Sequence, residues 1–296
     1  MTNKKNFDAV ETGMGCLDNK IIVVTGGSRG IGFSVARRCA KEGARLVLIS
    51  RDRSNLEKAA VKVSSGRQNH RCYECDVGRP ENVKDIVSAV ENEFSVVHGL
   101  VNCAGISGVI GRIDEIDPAG FVQTIKVNLL GTFYMCHYFI PLLKKAERGK
   151  IVNFSGGGAA GPFPNYSAYA ASKAGVVRLT ENMAVELQND NLDINVVAPG
   201  FIATEIHQET IKAGMKAGEG YLKKTMELIK KGGVSPEIPA RLTAFLLSSQ
   251  SDGITGKFLS APWDPWEDRD FQTLLRNDKD FATIRRIDNR IFYKRG

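Results

Sequence analysis

Histidine, tryptophan and proline are scarce in this chain of 296 residues, which holds four His, two Trp and ten Pro. The four histidines, at 70, 98, 137 and 207, lie too far apart to suggest a His-based metal centre. Few prolines, with 43% hydrophobic and 25% charged residues, exclude a disordered or fibrous chain. No apolar run reaches the roughly 18 residues of a membrane helix. The opening segment MTNKKNFDAVETGMGCLDNK carries Asp8, Glu11 and Asp18 and lacks the apolar core of a signal peptide. The six cysteines (16, 39, 72, 75, 103 and 136) are dispersed, without the framework of a disulfide-built domain. Cys72 and Cys75 have zinc-like spacing, but no second pair follows, and strand alternation puts them on opposite faces. The expectation is a soluble, cytoplasmic protein in a reducing compartment, with no metal and no membrane partner.

What is present is a basic excess and a regular alternation. Forty Lys and Arg against 33 Asp and Glu leave a net charge of +7, which suggests an anionic ligand or partner. The charge is spread without a basic stripe, so no nucleic-acid partner is expected. Apolar runs recur at Ile21 to Thr25, Leu46 to Ser50, Arg71 to Cys75, Gly99 to Asn102, Lys150 to Phe154 and Asp193 to Ala198. Helical spacing fills the intervals, as in Ile31, Val35 and Ala36, then Val83, Ile86, Val87 and Val90. Leu242 to Leu247 and Ile254 to Leu259 read as a closing helix and strand. This is an α/β pattern, and it predicts a Rossmann-type, doubly wound parallel sheet in a three-layer α/β/α fold. We divide the chain into an N-terminal arm (1–18), one nucleotide-binding catalytic domain (19–261) and a C-terminal extension (262–296). The extension holds Trp263, Trp266, Phe271, Leu274, Leu275, Phe281, Ile284, Ile287, Ile291 and Phe292, too many large apolar groups for a free tail. It should dock on its own core, a partner subunit or the mouth of the site.

After the first strand, TGGSRGIG (25–32) leads directly into a helix. Glycines there allow a tight turn and let backbone amides and a helix N-terminus approach a pyrophosphate. With Gly26, Gly30 and Gly32 so spaced after Thr25, the chain resembles the compact branch of the short-chain dehydrogenase/reductases. Further motifs agree over roughly residues 18 to 260. Asp76-Val77 stands where the family contacts adenine, and Asn102-Cys103-Ala104-Gly105 matches its NNAG element with Cys103 at a variable place. Asn128 lies in KVNLLGTF, Pro199-Gly200 follows the sixth strand, and Thr204 is placed like the Thr that contacts the nicotinamide carboxamide. The resemblance implies a nicotinamide cofactor held also by Ser28, Arg29, Ile31 and Ile202, and a homodimer or homotetramer packed through the long helices around 118–146 and 166–189.

Cofactor choice follows from charge. A carboxylate ending the second strand would accept from a ribose 2′-hydroxyl, whereas an Arg would attract a 2′-phosphate. Here Ser50 ends the strand, Arg51-Asp52-Arg53 follow, and Arg29 adds a cation from the glycine loop. NADP(H) is expected over NAD(H), with Asp52 as the group that could pair with the arginines instead.

Tyr169 and Lys173 stand four residues apart at the start of a helix, so they share a face. A phenol with an ordinary pKa near 10 becomes a usable acid–base group when an ammonium favours its phenolate. The pair matches the family's YxxxK, which implies that Tyr169 handles the proton on a substrate oxygen, Lys173 also binds the nicotinamide ribose, and Asn128 supports a proton relay. Tyr166 lacks such a partner because residue 170 is Ala. The chain departs from the family at its substrate-orienting Ser, whose place is taken by Gly156 within NFSGGGAAG. Either Ser155 reaches the substrate oxygen through this flexible run, or backbone amides of Gly156 and Gly157 replace the hydroxyl.

Residues 201–236 form the segment that decides specificity in this family. They hold Lys212, Lys216, Lys223, Lys224, Lys230 and Lys231. A phosphorylated, nucleotide-linked or carrier-linked substrate would suit such a lid, and a solvated lysine face is the competing reading. His207 is a candidate substrate contact, His137 a packed helix residue and His70 a solvated one. The expected function is reduction of a small carbonyl compound or oxidation of its alcohol. A sugar-nucleotide reductase or dehydratase, or an NADP-binding sensor without turnover, are the alternatives.

Overall fold

A computed structural model describes residues 15–64 and 70–286. The elements follow one another as strand and helix: β1 (Ile21–Thr25), α1 (Gly30–Lys41), β2 (Arg45–Ser50), α2 (Arg53–Val63), β3 (Arg71–Glu74), α3 (Pro80–Glu93) and β4 (Gly99–Asn102). Then come α4 (Pro118–Ile125), a π turn (Lys126–Leu130), α5 (Gly131–Leu143), β5 (Gly149–Phe154), α6 (Ser167–Glu186) and β6 (Leu192–Ala198). The chain closes with α7 (Glu205–Ala213), α8 (Glu219–Lys230), α9 (Glu237–Leu247), β7 (Phe258–Ser260) and α10 (Arg269–Asn277).

The described strands form one sheet in the order β3-β2-β1-β4-β5-β6-β7, and every pairing is parallel. Helices cover both faces, which is why the central strands read as continuous apolar runs rather than alternating ones. On one face Leu46 and Leu48 pack with Val35 of α1 and Leu246 of α9. On the other, Val47 and Ile49 pack with Val83 of α3 and Phe139 of α5. The strand order reverses between β1 and β4, so a crevice opens at the carboxyl ends of these two strands.

The structure departs from the sequence expectations in local places. The closing strand is shorter than Ile254 to Leu259, because Gly253 (φ +81°) and Gly256 (φ +72°) hold its start in turns. The helix expected around 118–146 runs without interruption from Pro118 to Leu143, and takes a π form at Lys126–Leu130 that the sequence does not announce. His70 is not solvated: its Nδ1 accepts from Leu46 N at 3.2 Å, and burial lowers its pKa. His137 is not packed inside but exposed beside Phe133 of the same helix, with ring centroids 5.5 Å apart. By contrast, Cys72 and Cys75 do fall on opposite faces as strand alternation predicts, Cys72 on the α1 side of the sheet and Cys75 on the α3 side.

Both extensions engage the core. Residues 1–14 lie outside the described residues, but Leu17 is fully buried and its amide donates to Glu42 O. The end of the expected arm is therefore pinned rather than loose. In the C-terminal extension, Trp266 and Leu275 join the α1–α9 side of the core, and Trp266 Nε1 donates to Ala261 O. Lys257 Nζ donates to the carbonyls of Asp278 and Phe281, while Glu181 accepts from Ile284 N and pairs with Arg285. Ile287, Ile291 and Phe292 lie outside the described residues.

Candidate functional site

The crevice begins at the glycine turn. Gly26 has φ +66°, and a Cβ there would stand 3.1 Å from the backbone of Ala104. A Cβ on Gly32 would meet Gly26 O at 2.3 Å, so any side chain would drive α1 off the turn. Thr25 Oγ1 accepts from the amides of Cys103 and Ala104 at 3.0 and 3.1 Å, tying the ends of β1 and β4 together. Above this turn lies a cavity of about 840 Å³ at the N-terminus of α1. Its walls include Gly26, Ser28, Arg29, Gly30, Ile31, Gly32, Arg51, Asp76, Val77, Ala104, Gly105 and Thr204 from the sequence-derived set. A glycine cradle that excludes side chains, facing a helix N-terminus, fits a dinucleotide pyrophosphate. Asn102 does not line the cavity. It is buried below it, where Nδ2 donates to Asn153 Oδ1 at 2.9 Å and joins β4 to β5.

Charges at the outer end sort themselves. Asp52 caps α2 through Asn55 N at 2.9 Å, and Arg53 pairs with Glu57 at 3.0 Å, so Asp52 neutralises neither arginine of its loop by a hydrogen bond. Arg51 is exposed and lines the cavity beside Ser50 and Asn55. Arg29 reaches across the opening to Glu205 in the first turn of α7, which joins the glycine loop to the lid.

A smaller cavity of about 90 Å³ adjoins the first. Ile31, Thr204 and Ile206 line both, so the two cavities meet at these side chains, and their junction is the passage between glycine turn and phenol. Tyr169, Pro199, Gly200, Ile202 and His207 also line the smaller cavity. The phenol lies over the glycine run: a Cβ on Gly156 would come within 2.2 Å of Tyr169 Oη. A Ser at 156 is thus incompatible with this position of the phenol. Gly156 and Gly157 line the cavity, whereas Ser155 is buried behind them with its hydroxyl unpartnered.

Beneath the passage, Lys173 and Asn128 meet at Gly105. A Cβ on Gly105 would lie 3.3 Å from Asn128 Oδ1 and 3.5 Å from Lys173 Nζ. Lys173 Nζ donates to Phe154 O at 2.9 Å and stands 5.8 Å from the centroid of the Tyr169 ring. Asn128, fully buried in the π turn, receives Ile106 N at 2.8 Å and donates to Ile106 O and Ser172 Oγ. Its side chain therefore locks the loop after β4. Burial pushes the Tyr169 phenol above its ordinary range, with Tyr221 adding to the rise. Burial also lowers the Lys173 ammonium to about 8, against a smaller opposing pull from Cys103. The expected lowering of the phenol by Lys173 is not seen: desolvation dominates at both groups.

Sequence reasoning did not single out Ser107, Phe163, Tyr221 or Thr210 as site residues, and it set Tyr166 aside, yet all five line the smaller cavity. Ser107 alone carried a local signal, two residues beyond the Asn102–Gly105 element. Among the described residues, no group of three or more His, Cys, Asp or Glu could hold a metal, and no helix is long and apolar enough to cross a membrane.

Known proteins resemble this chain in sequence and fold. Residues 20–214 match the family model for short chain dehydrogenase. The pig protein named dehydrogenase/reductase SDR family member 4 is 32% identical over 241 residues, covering 81% of this chain and 85% of its own. Levodione reductase from Leifsonia aquatica is 32% identical over 240 residues, covering 79% and 89%. Among solved structures, a levodione reductase superposes with a TM-score of 0.77 at 28% identity, over 85% of this chain and 98% of that one. An NAD⁺-bound xylitol dehydrogenase superposes with a TM-score of 0.75 at 27% identity, over 82% and 98%. The glycine turn, the parallel sheet and these matches agree, and the chain belongs to the short-chain dehydrogenase/reductase family of oxidoreductases.

Proposed function

We propose that this protein uses NADP(H) to reduce a carbonyl compound or oxidise the matching secondary alcohol, with Tyr169 as the acid–base group. The observation that carries the reading is the shared passage. A cofactor in the larger cavity and a substrate in the smaller one meet at Ile31, Thr204 and Ile206, beside the Tyr169 phenol. Bound there, the nicotinamide supplies a hydride to the carbonyl carbon or accepts one from the alcohol. In reduction Tyr169 Oη gives its proton to the substrate oxygen; in oxidation it takes that proton back. Lys173 would hold the nicotinamide ribose and Asn128 would support the return of protons to Tyr169, a reading supported by their meeting under Gly105. The test is consumption of NADPH and of NADH, followed by nicotinamide absorbance, across simple ketones, 3-oxoacyl thioesters and keto-sugar nucleotides.

Preference for NADPH rests on Arg51, which faces the cavity while Asp52 caps α2. Arg51→Ala should raise the KM for NADPH about 10- to 100-fold, the loss of one charge-assisted contact, with little change for NADH. Arg29→Ala should do less, because Arg29 is engaged by Glu205. An unchanged ratio of the two cofactors in the Arg51→Ala enzyme would assign the 2′-position to other groups.

For orientation of the substrate oxygen, Ser107 is better placed than Ser155. Ser107 lines the smaller cavity, and Ser155 stands behind its glycine wall. Ser107→Ala should lower kcat/KM about tenfold, and Ser155→Ala should cost less. The reverse order in steady-state kinetics would return the role to Ser155.

A further inference from the structure

The run Gly156-Gly157-Gly158 does more than leave the usual Ser position empty. A Cβ on Gly157 would stand 3.1 Å from the Phe163 ring, and one on Gly158 (φ +84°) would lie 2.8 Å from Phe163 Cβ and 2.5 Å from Ala170 Cβ. The glycines thus let Phe163 fold back onto the start of α6. There it stacks on Tyr166, with ring centroids 4.3 Å apart and planes 9° apart. Tyr221, from the lid helix α8, closes edge-on against both, at 4.8 and 5.3 Å. The Tyr166 hydroxyl donates to Thr210 Oγ1 at 2.8 Å, so its polar tip is already partnered on α7. Three rings held by one another and by two lid helices form a rigid wall of the smaller cavity.

That cavity carries no charged wall. Among the described residues, neither Lys nor Arg, Asp nor Glu lines it, and the lid lysines line neither cavity. Burial lowers the pKa of His207, which favours its neutral form. An anionic group entering there would lose its water without gaining a counter-charge, which is costly. The volume of about 90 Å³ is less than the roughly 150 Å³ of an apolar cavity that holds benzene. It suits at most one small ring whose reacting edge extends into the shared passage.

Resting on the oxidoreductase reading above, we propose that the substrate is an uncharged, single-ring ketone or its alcohol, laid against the wall of Phe163, Tyr166 and Tyr221. The ketone carbon would gain the cofactor's hydride and its oxygen the Tyr169 proton, giving the secondary alcohol and oxidised cofactor. The glycine run that replaces the usual Ser is then part of the specificity device, because it admits Phe163.

Calorimetric titration of the NADP⁺-saturated protein with acetophenone, cyclohexenone, para-acetylbenzoate and acetoacetyl-CoA tests this, alongside NADPH oxidation with the same four. Acetophenone should bind at least about tenfold more tightly than para-acetylbenzoate, which has the same ring with a carboxylate. Gly157→Ala and Tyr221→Leu should each weaken acetophenone binding by about tenfold, and Lys224→Ala should leave it unchanged. The wild-type comparison of matched ligands stands even if a variant fails to fold. Absence of acetophenone and cyclohexenone binding, or tighter binding of either anionic ligand, overturns the ring proposal. Oxidation of NADPH by the thioester alone would do the same while keeping the oxidoreductase. Ring binding without oxidation by any carbonyl would keep the wall and remove the oxidoreductase.

Discussion

Tyr169→Phe should lower kcat by about 10²- to 10⁴-fold, the usual worth of a positioned proton donor, while NADPH affinity changes by no more than about twofold. The substitution removes one oxygen, the atom that crowds Gly156, and leaves the ring on its helix. Burial pushes the phenol's pKa above its ordinary range, which favours the protonated form. Reduction, which uses the protonated form, should therefore persist as pH rises. Oxidation, which needs a deprotonated base, should gain with pH over the same range. Initial rates in both directions between neutral and alkaline pH check this sign. Full turnover by the Phe variant would require another donor at the passage. Tight NADPH binding without turnover by the wild type would favour a sensor that retains the fold.

The second large effect separates activity from stability. Lys173 is buried, and its ammonium is lowered to about 8 from an ordinary 10.5. At neutral pH the native state thus carries a charge it solvates poorly, a penalty of about 3 kcal/mol. In the unfolded chain the amine binds its proton more tightly, so wild-type stability rises with pH between about 8 and 10.5 as the native amine is freed of its proton. Lys173→Met should consequently match or exceed the wild type in stability at pH 7, less what the hydrogen bond to Phe154 O contributed. Its advantage should shrink as pH rises through that window. Turnover should fall by about 10²-fold or more, since the group beneath Tyr169 is lost. Denaturant midpoints of both proteins at pH 7 and pH 10 decide the matter. A Met variant markedly less stable at both would mean that Lys173 holds the fold together rather than burdening it.

The chemistry-bearing parts were legible because they are local. The glycine turn, Tyr169 with Lys173, and the strand ends each occupy a few adjacent residues, and β1 and β4 fall where their apolar runs begin and end. What escaped depends on distant chain. Tyr221 reaches Phe163 and Tyr166 only after the lid folds back, so its role is invisible in its own neighbourhood of lysines. Tyr166 has no lysine four residues on, a criterion for catalysis that says nothing about walls. The π turn at Lys126–Leu130 also has no periodicity of its own, since one extra residue in a turn leaves the apolar pattern nearly intact. The burial of His70 has a related cause, since the bond from Leu46 to His70 spans 24 residues.

The clasp between the C-terminal extension and the core also orders events during synthesis. All seven described strands are translated before Trp266 and Leu275, yet those two side chains complete the face of the sheet that α1 and α9 cover. Because the ribosome's exit tunnel shields the segment made most recently, α9, β7 and the extension emerge close together, and the apolar face beside Phe245 closes only when the extension itself has emerged. A chain cut short before Trp266 would keep that face uncovered, which makes truncation there a route to aggregation.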